Sequence, residues 1–299
     1  MTWLAGSIAI AIAMLGTPVA AVAAEDRMIA TACPVDQGLS DLAAGSDLIV
    51  LGRMDLPTAE LSRRAQQKAP EWLNIPVEVT RTLKGEDSKK AIVRVYPVDE
   101  TYKPSNAALL QLAGAPSLLF LTRVDEGEAG LYFAGYTPSA LRPGSESEVA
   151  AVTAEVARQN EILRVWRTTP SAPHERAVRD LLSRLGQVKG GAQQQLFDRL
   201  VALGPEAVPA LVSQMDDRRP LAEKSISLVN HAADAFEGTR HYGPELVVDA
   251  LDAILNQITG ASFGSIVNGG SDRERAATVA GWRVYAADLH CRESASKGR

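Results

Sequence analysis

The serine within residues 260–264 is the first position whose surroundings suggest chemistry. These residues read Gly-Ala-Ser-Phe-Gly and match the G-x-S-x-G pattern of a hydrolase nucleophile elbow. Such an elbow needs a strand before the serine and a helix directly after it. Here an amphipathic helical pattern precedes Ser262, and no helix is predicted to begin before Ser271. We therefore interpret the segment as a connection between two helices. The alternative is a serine hydrolase that uses His241 or His290 as its base.

The glycine-rich residues after this serine are a candidate anion-binding turn. Backbone amides at Gly269, Gly270 and Ser271, together with Arg273 or Arg275, could hold an anion where the last helix begins. An S-x-x-E capping box starting at Ser271 predicts that helix start. The phosphate-loop patterns G-x-x-x-x-G-K-[ST] and G-x-G-x-x-G do not occur in this segment.

The four histidines do not form a metal-binding pattern. Neither H-x-x-x-H nor H-E-x-x-H occurs in the sequence. His290 adjoins Cys291, but adjacent side chains rarely ligate one metal, and C-x-x-C is also absent. We predict no metal site and no cofactor, and we interpret the histidines as surface or packing residues: His174, His231, His241 and His290.

The two cysteines, Cys33 and Cys291, lie close to the two ends of the chain. In an oxidising compartment two such thiols often pair, and the alternative is two independent free thiols. The sequence does not give their separation in space, so both readings stay open. A disulfide would close a very long loop and tie the first module to the last helix.

Residues 1–24 are predicted to be a secretory signal peptide. Residues 3–24 carry no charge, residues 8–15 form a short apolar core, and small residues precede Glu25. A membrane anchor is the alternative, but this core is shorter than the roughly 20 residues that span a bilayer. Cys33 follows the core too late for lipidation. We expect a periplasmic or secreted protein with no membrane association after cleavage.

The charge balance argues against one class of partner. The chain has 36 acidic and 31 basic residues, with a formal net charge of −5. It has no dense Lys/Arg run and no basic face with interleaved aromatic residues. Nucleic acid is therefore not predicted as a partner.

Short apolar and alternating runs predict a small β-barrel in residues 33–145. Such runs, rich in β-branched and aromatic residues and separated by turn signals, are typical of an antiparallel sheet or barrel. The first and fourth runs are compact and apolar, as expected of buried strands, whereas the second alternates. The predicted strands cover residues 46–54, 75–83, 91–98, 117–124 and 131–136, with an insertion at 58–72.

The order of these strands resembles the bacterial netrin-like, tissue-inhibitor-of-metalloproteinase-like OB-fold domains. The resemblance covers roughly residues 33–141, and it rests on order and spacing more than on any single motif. The residues that carry it are Gly52, the turn Leu83-Lys84-Gly85, Gly114 and the run Leu118-Leu119-Phe120-Leu121.

In the animal inhibitors, a Cys-x-Cys at the mature N-terminus places an amine and a carbonyl on the protease zinc. In this chain Val35 stands where the second cysteine would be. The resemblance therefore implies a metalloprotease inhibitor led by Cys33 only if cleavage exposes Cys33 as the first residue. We keep that function as a second alternative.

Residues 174–292 are predicted to form a helical module. A bridging helix at 146–167 and a linker at 168–173 precede it. Residues 203–215 resemble the inter-helix turn and second helix of HEAT-like repeats, with Gly204 ending one helix and Pro205 starting the next. Only one clear unit is visible, so we predict a HEAT-like helical domain and not a repeat array.

The C-terminal part of this module is predicted to contain further helices. One covers about 222–236, and an amphipathic helix follows a Gly-Pro pair and ends at Gly260. Gly260 is expected to cap that helix, and Phe263 and Ile266 are expected to pack inward.

Taken together, the sequence predicts an α+β protein of two modules. The first is an N-terminal five-stranded OB-like β-barrel, and the second is a C-terminal all-α HEAT-like helical domain. The function that fits is an exported, non-catalytic binding or scaffold protein of the cell envelope with a protein partner. This hypothesis rests on the lack of catalytic signatures and on fold analogy.

Overall fold

A computed structural model of the chain describes residues 32–59, 62, 72–95, 106–124, 130–134, 138–166, 172–230 and 238–297. The predicted signal peptide, most of the insertion at 58–72, most of the linker at 168–173 and His231 lie outside these residues.

Five strands close into a barrel in the N-terminal half. The order around the barrel is β1-β2-β3-β5-β4 and back to β1. The β3–β5 pair is parallel and the other pairs are antiparallel. This arrangement confirms the predicted five-stranded barrel. The strands are β1 (Leu48–Met54), β2 (Leu73–Lys84), β3 (Lys90–Val95), β4 (Ser117–Arg123) and β5 (Leu131–Ala134).

Two shorter elements also belong to the described part of this half of the chain. The helix α2 (Asn106–Gln111) lies between β3 and β4 in sequence and contributes Leu109 to the barrel core. The short strand β6 (Leu141–Pro143) pairs with β4 outside the closed ring.

The apolar runs of β1 and β4 arise because both faces of these strands are buried. Leu48 and Leu119 point into the barrel core, whereas Ile49 and Phe120 belong to a second cluster outside the barrel. By contrast, β2 faces solvent on one side, and its first half alternates between buried and exposed residues.

Two helices form a layer between the barrel and the rest of the protein. Helix α1 (Gln37–Ala44) begins at Asp36, whose carboxylate accepts the Leu39 amide at 3.1 Å. Helix α3 (Glu146–Val165) is the predicted bridging helix, and Ser145 caps it. Its N-terminal valines pack on the outer face of β1 and β4, while Ile162 joins the core of the helical module. The layer therefore touches both modules.

The C-terminal half contains six helices in its described part and one β-hairpin. Pro205–Ala207 forms a 3₁₀ turn directly before α6, so the predicted Gly204–Pro205 junction is present. The helices are α4 (Glu175–Arg184), α5 (Gly190–Val201), α6 (Val208–Ser213), α7 (Val247–Thr259), α8 (Asp272–Ala287) and α9 (Leu289–Lys297).

The hairpin corrects the predicted helix over 222–236 in its described part, residues 222–230; residues 231–236 of that prediction lie outside the described residues. Strands β7 (Ile226–Val229) and β8 (Thr239–Tyr242) pair antiparallel instead. The side chain of Gln194 on α5 replaces a neighbouring strand for β7, because its Oε1 accepts the Ser227 amide at 2.9 Å and its Nε2 donates to the Ser227 carbonyl at 2.7 Å. A helix over these residues could not form those bonds, and the helical module is not purely α.

No helix among the described residues has the length and hydropathy that crossing a bilayer requires.

Candidate functional site

A cleft of about 1410 Å³ lies where the barrel, α1 and the helical module meet. One wall comes from α1 and the ends of β2 and β4, and the other comes from α7, α8 and the connection between them. The pattern at 260–264 marks only part of one wall in the sequence, because the walls come from distant segments. Its lining includes Asp41, Leu42, Asp47, Lys84, Phe120, Thr122, Arg123, Asp252, Ser262, Phe263, Ser265, Glu274 and Thr278.

Ser262 lines this cleft but lies in a turn between α7 and α8. Its Oγ donates to the Gly264 carbonyl at 2.8 Å. Gly260 has φ +71° and caps α7, as predicted. Gly264 has φ +120°, and a Cβ there would lie 2.6 Å from the Thr278 Oγ1. Helix capping therefore explains the glycine at 260, and the positive φ and close contact explain the glycine at 264, without a nucleophile at Ser262.

Between these glycines, Phe263 points into the core of the helical module. Its ring packs edge-on against Trp282 at 5.0 Å and contacts Tyr285 at 5.8 Å between centroids. Phe263 and Ile266 are both buried, as predicted. This aromatic packing fixes the backbone that presents Ser262 and Ser265 to the cleft.

The candidate bases for Ser262 are engaged elsewhere. His241 lies on β8, where its Nδ1 hydrogen-bonds the Oγ of Ser227 at 2.9 Å. His290 lies beside the two cysteines, with its Nε2 3.1 Å from the Cys291 Sγ. Of the histidines that the structure describes, none is among the residues lining the cleft. The geometry does not assemble a Ser–His pair at Ser262.

On the barrel side of the cleft, the charged residues are Lys84, Asp47 and Arg123. The Lys84 ammonium donates to the Ala43 carbonyl at 2.7 Å. Burial lowers the pKa of Lys84 to about 8, and the nearby Asp47 opposes this only in part. Asp47 itself accepts the Arg123 amide at 2.8 Å and the Arg273 guanidinium at 2.9 Å. The Arg273–Asp47 ion pair joins α8 to the barrel.

On the helical side, Asp252 is a buried carboxylate with few donors. It accepts the indole N–H of Trp282 at 2.7 Å and the Ile266 amide at 3.4 Å. Burial raises the pKa of Asp252 to about 6, although the two donors work against this shift. A carboxyl group that titrates near pH 6 on a cleft wall makes the cleft a candidate functional site.

In the predicted anion-binding turn, the amides of Gly269 and Ser271 and the side chain of Arg273 have protein partners. The Ser271 amide donates to Glu274 at 2.7 Å, which completes the predicted capping box. The Gly269 amide donates to the Ile266 carbonyl at 2.8 Å, and Arg273 pairs with Asp47. A Cβ on Gly270 would lie 3.1 Å from the Glu274 Oε2, so that carboxylate lies close to the turn. Arg275, the other arginine considered, is buried against Asp249.

A buried polar network fixes the layer that supports the cleft. Arg158 on α3 bonds both carboxylate oxygens of Asp288 at 2.8 Å, and it also bonds both oxygens of Glu155. The Ser40 Oγ on α1 accepts from Arg158 at 3.0 Å. Burial opposes the charge on Arg158, but Asp288 and Glu155 together raise its pKa above the ordinary value.

One sequence signal could have revealed this network. Glu155 and Gln159 fall on the same helical face of α3 as Val152 and Val156, and all four are buried. Polar residues within an apolar stripe indicate a buried partner. The sequence could not show that the partner is Asp288, because 130 positions separate it from Arg158.

Cys33 and Cys291 form a disulfide with a Cα–Cα distance of 5.7 Å. This confirms the pairing that the sequence left open. The bond closes a loop of 258 positions and joins the segment before α1 to α9. Beside it, Arg292 on α9 forms an ion pair with Asp41 on α1. The two ends of the described chain are therefore held together next to the Arg158 network.

Comparisons of the chain with protein-family models, with curated proteins and with solved structures find no match.

Proposed function

We propose that the protein is an exported, non-catalytic binding or scaffold protein of the cell envelope, and that the cleft holds a segment of a partner protein. The observation that carries this proposal is a cleft built by both modules, whose walls are tied together. The Arg273–Asp47 pair, the Arg158 network and the disulfide all connect segments on either side of the junction. Preorganised walls lower the entropic cost of binding.

The size and lining of the cleft favour a polypeptide segment over a small molecule. Its volume of about 1410 Å³ exceeds the roughly 300–1,000 Å³ of most small-molecule pockets. Lys84 and Arg123 lie on one side, Glu274 lies on the other, and the partly exposed Leu42 and Leu163 offer apolar surface. A peptide offers both charges, backbone hydrogen bonds and apolar side chains to such a lining.

Export is part of the proposal because of residues 1–24 and the disulfide. A structural disulfide is typical of an oxidising compartment. We also propose that the barrel is netrin-like and that the helical module is HEAT-like. The strand order, with α2 between β3 and β4, supports the first identity. The Gly204–Pro205 turn into α6 supports the second.

A photo-crosslinking amino acid at Ser265 tests the binding function. Ser265 is exposed and lines the cleft, so p-benzoylphenylalanine there should yield a discrete adduct in intact cells. Gln195, exposed on α5 and outside the cleft lining, is the matched control and should yield none. Mass spectrometry of the adduct identifies the partner. Failure at Ser265, or equal labelling at both positions, would contradict a cleft-bound protein.

The serine-hydrolase alternative is retained because Ser262 is exposed and lines the cleft. A fluorophosphonate probe labels an activated serine, and Ser262→Ala removes that label if the alternative holds. We expect no labelling of the wild-type protein, since the Ser262 hydroxyl donates to a backbone carbonyl.

The inhibitor alternative requires Cys33 at the mature N-terminus. The intact mass of the exported protein, before and after reduction and alkylation, decides this. We expect a mass that begins at Glu25 or close to it, with two thiols that become alkylated only after reduction. A mass that begins at Cys33 would favour metalloprotease inhibition.

A further inference from the structure

The segment around the disulfide places three metal-ligand atoms close together. The two sulfurs and the Nε2 of His290 all lie within 4.8 Å of one another. The imidazole nitrogen is 3.7 Å from the Cys33 Sγ and 3.1 Å from the Cys291 Sγ. In a tetrahedral zinc site, Zn–S and Zn–N bonds of standard length separate a sulfur and a nitrogen by about 3.6 Å. The distance to the Cys33 Sγ is close to this value, and the distance to the Cys291 Sγ is about 0.5 Å shorter.

The orientation of His290 supplies a second feature of a metal ligand. Its Nδ1 lies 3.1 Å from the Ala287 carbonyl, and a carbonyl accepts only from a protonated nitrogen. This contact selects the tautomer with hydrogen on Nδ1, so the Nε2 lone pair faces the sulfurs. Metal-binding histidines commonly donate their second N–H to such an acceptor.

We propose that Cys33, His290 and Cys291 form a redox-gated site for a thiophilic cation of the Zn²⁺ class. In the oxidised protein the sulfurs are bonded to each other, and no thiolate is present. A dithiol reductant breaks the S–S bond, supplies two electrons and two protons, and becomes a disulfide itself. The two thiols then release two protons as their thiolates bind the cation. The imidazole is the third ligand, and water takes the fourth position.

His290 and Cys291 are neighbours in the sequence, and adjacent side chains rarely ligate one metal, so the sequence did not predict this site. In the structure both residues lie in the first turn of α9, and the short distance between Nε2 and the Cys291 Sγ shows that both can face one point. Cys33 and His290 are exposed, so solvent and reductant reach the site. It uses none of the residues that line the cleft, and it does not depend on the proposed function.

An anaerobic titration with Co²⁺ tests the site in the full mature protein. Co²⁺ takes zinc sites and reports thiolate ligands through a near-ultraviolet charge-transfer absorption. After reduction with a phosphine, one equivalent of Co²⁺ should produce this absorption, and Zn²⁺ should displace it. The oxidised protein should show none. Far-ultraviolet circular dichroism follows the fold throughout.

Three variants distinguish this site from adventitious binding. Cys33→Ser should abolish the thiolate absorption, and His290→Ala should weaken Zn²⁺ affinity by at least about tenfold. His241→Ala changes a histidine on β8 and should have no effect. Equal Zn²⁺ affinity for the wild type and His290→Ala would overturn the proposal. So would a reduced protein that unfolds and is not restored by Zn²⁺.

Discussion

The barrel and the helical module differ in the kinds of side chain that they bury. Among the described residues, the interior of the barrel is an apolar cluster, from Leu48 and Ile75 to Leu121. The charged residues that are buried in the structure lie in the helical module or at its junction with the barrel: Glu155, Asp249, Asp252, Arg275 and Asp288.

This difference follows from how each module provides partners for the hydrogen-bonding groups of its backbone. A closed barrel pairs its strands with one another, so its interior needs no polar side chains. The helical module is joined by irregular segments whose amides need acceptors. Asp249 accepts the Glu245 and Leu246 amides at 3.0 Å, and Arg275 neutralises it at 2.8 Å. Asp252 accepts the Ile266 amide in the same way. Buried carboxylates therefore hold the irregular segments of this module, and Asp252 holds the connection that lines the cleft.

Arg158→Met should cause the largest loss of stability among single substitutions. It leaves the buried carboxylates of Asp288 and Glu155 without their cation, and breaking such a network costs about 3–5 kcal/mol. Chemical denaturation followed by circular dichroism measures this loss. Arg164→Met on the same helix removes an exposed cation paired with Glu161 and should change little. Equal effects of the two substitutions would mean that the network does not hold the junction.

Leu119→Ala tests how much the apolar core of the barrel contributes to stability. Leu119 is fully buried in the barrel core, and the cavity should lower the free energy of unfolding by about 2–5 kcal/mol. Because no titratable group is involved, the loss should be the same at pH 4.5 and pH 7.5. Leu119→Met conserves volume and should cost less than about 1.5 kcal/mol. A loss of unfolding free energy that varies with pH would contradict the proposed difference between the two modules.

Asp252→Asn should reveal a pH dependence between pH 4 and 8 that the apolar interior of the barrel lacks. The folded-state pKa is about 6, compared with 3.8 for the free group, so ionisation is disfavoured in the folded protein. The free energy of unfolding of the wild type therefore falls as the pH rises from about 4 to 6. Above pH 6 the full loss, up to about 3 kcal/mol, is reached. The variant carries no charge there. Its stability relative to the wild type should therefore be higher at pH 7.5 than at pH 4.5.

Denaturant midpoints of both proteins between pH 4 and 8 measure that difference. Trp282→Phe removes the indole donor that favours the ionised carboxylate, so it should extend the sensitive range to higher pH. A difference between wild type and Asp252→Asn that is flat across this range would contradict the role assigned to burial.

Gly281→Ala should give the smallest of these effects. A Cβ on Gly281 would lie 2.3 Å from the Cβ of Phe263, so the aromatic cluster must shift. Overpacking of this kind costs about 1–3 kcal/mol. Gly191→Ala in α5 is the matched control, since nothing lies within 4 Å of its Cβ. It should stabilise by up to about 1 kcal/mol. Thermal midpoints that fall for both variants would argue against the packing explanation.

The comparison also shows where prediction from sequence succeeds. The barrel strands were predictable because each apolar or alternating run reports how many faces of its strand are buried. The Gly260 cap and the Ser271–Glu274 capping box were predictable because they depend only on neighbours in the chain. The helix predicted over 222–236 was wrong because Gln194, which lies outside that segment, completes the hydrogen bonding of β7.

The candidate site was less accessible to prediction. The inward packing of Phe263 follows from local pattern, and the sequence correctly favoured a connection around Ser262. The cleft and its perturbed groups, Lys84 and Asp252, were missed because their pKa shifts come from burial by distant segments.

The sequence by itself determined the two-module α+β architecture and many of its local elements, including the barrel strands and the caps at Gly260 and Ser271. Apolar periodicity, turn residues and capping motifs act over a few positions, so they can be read from the chain directly. Only the tertiary structure decided that Cys33 meets Cys291, that Arg158 meets Asp288, and that the ends of both modules enclose one cleft. These contacts depend on how the modules pack together, and pairings across more than 100 positions leave no local pattern.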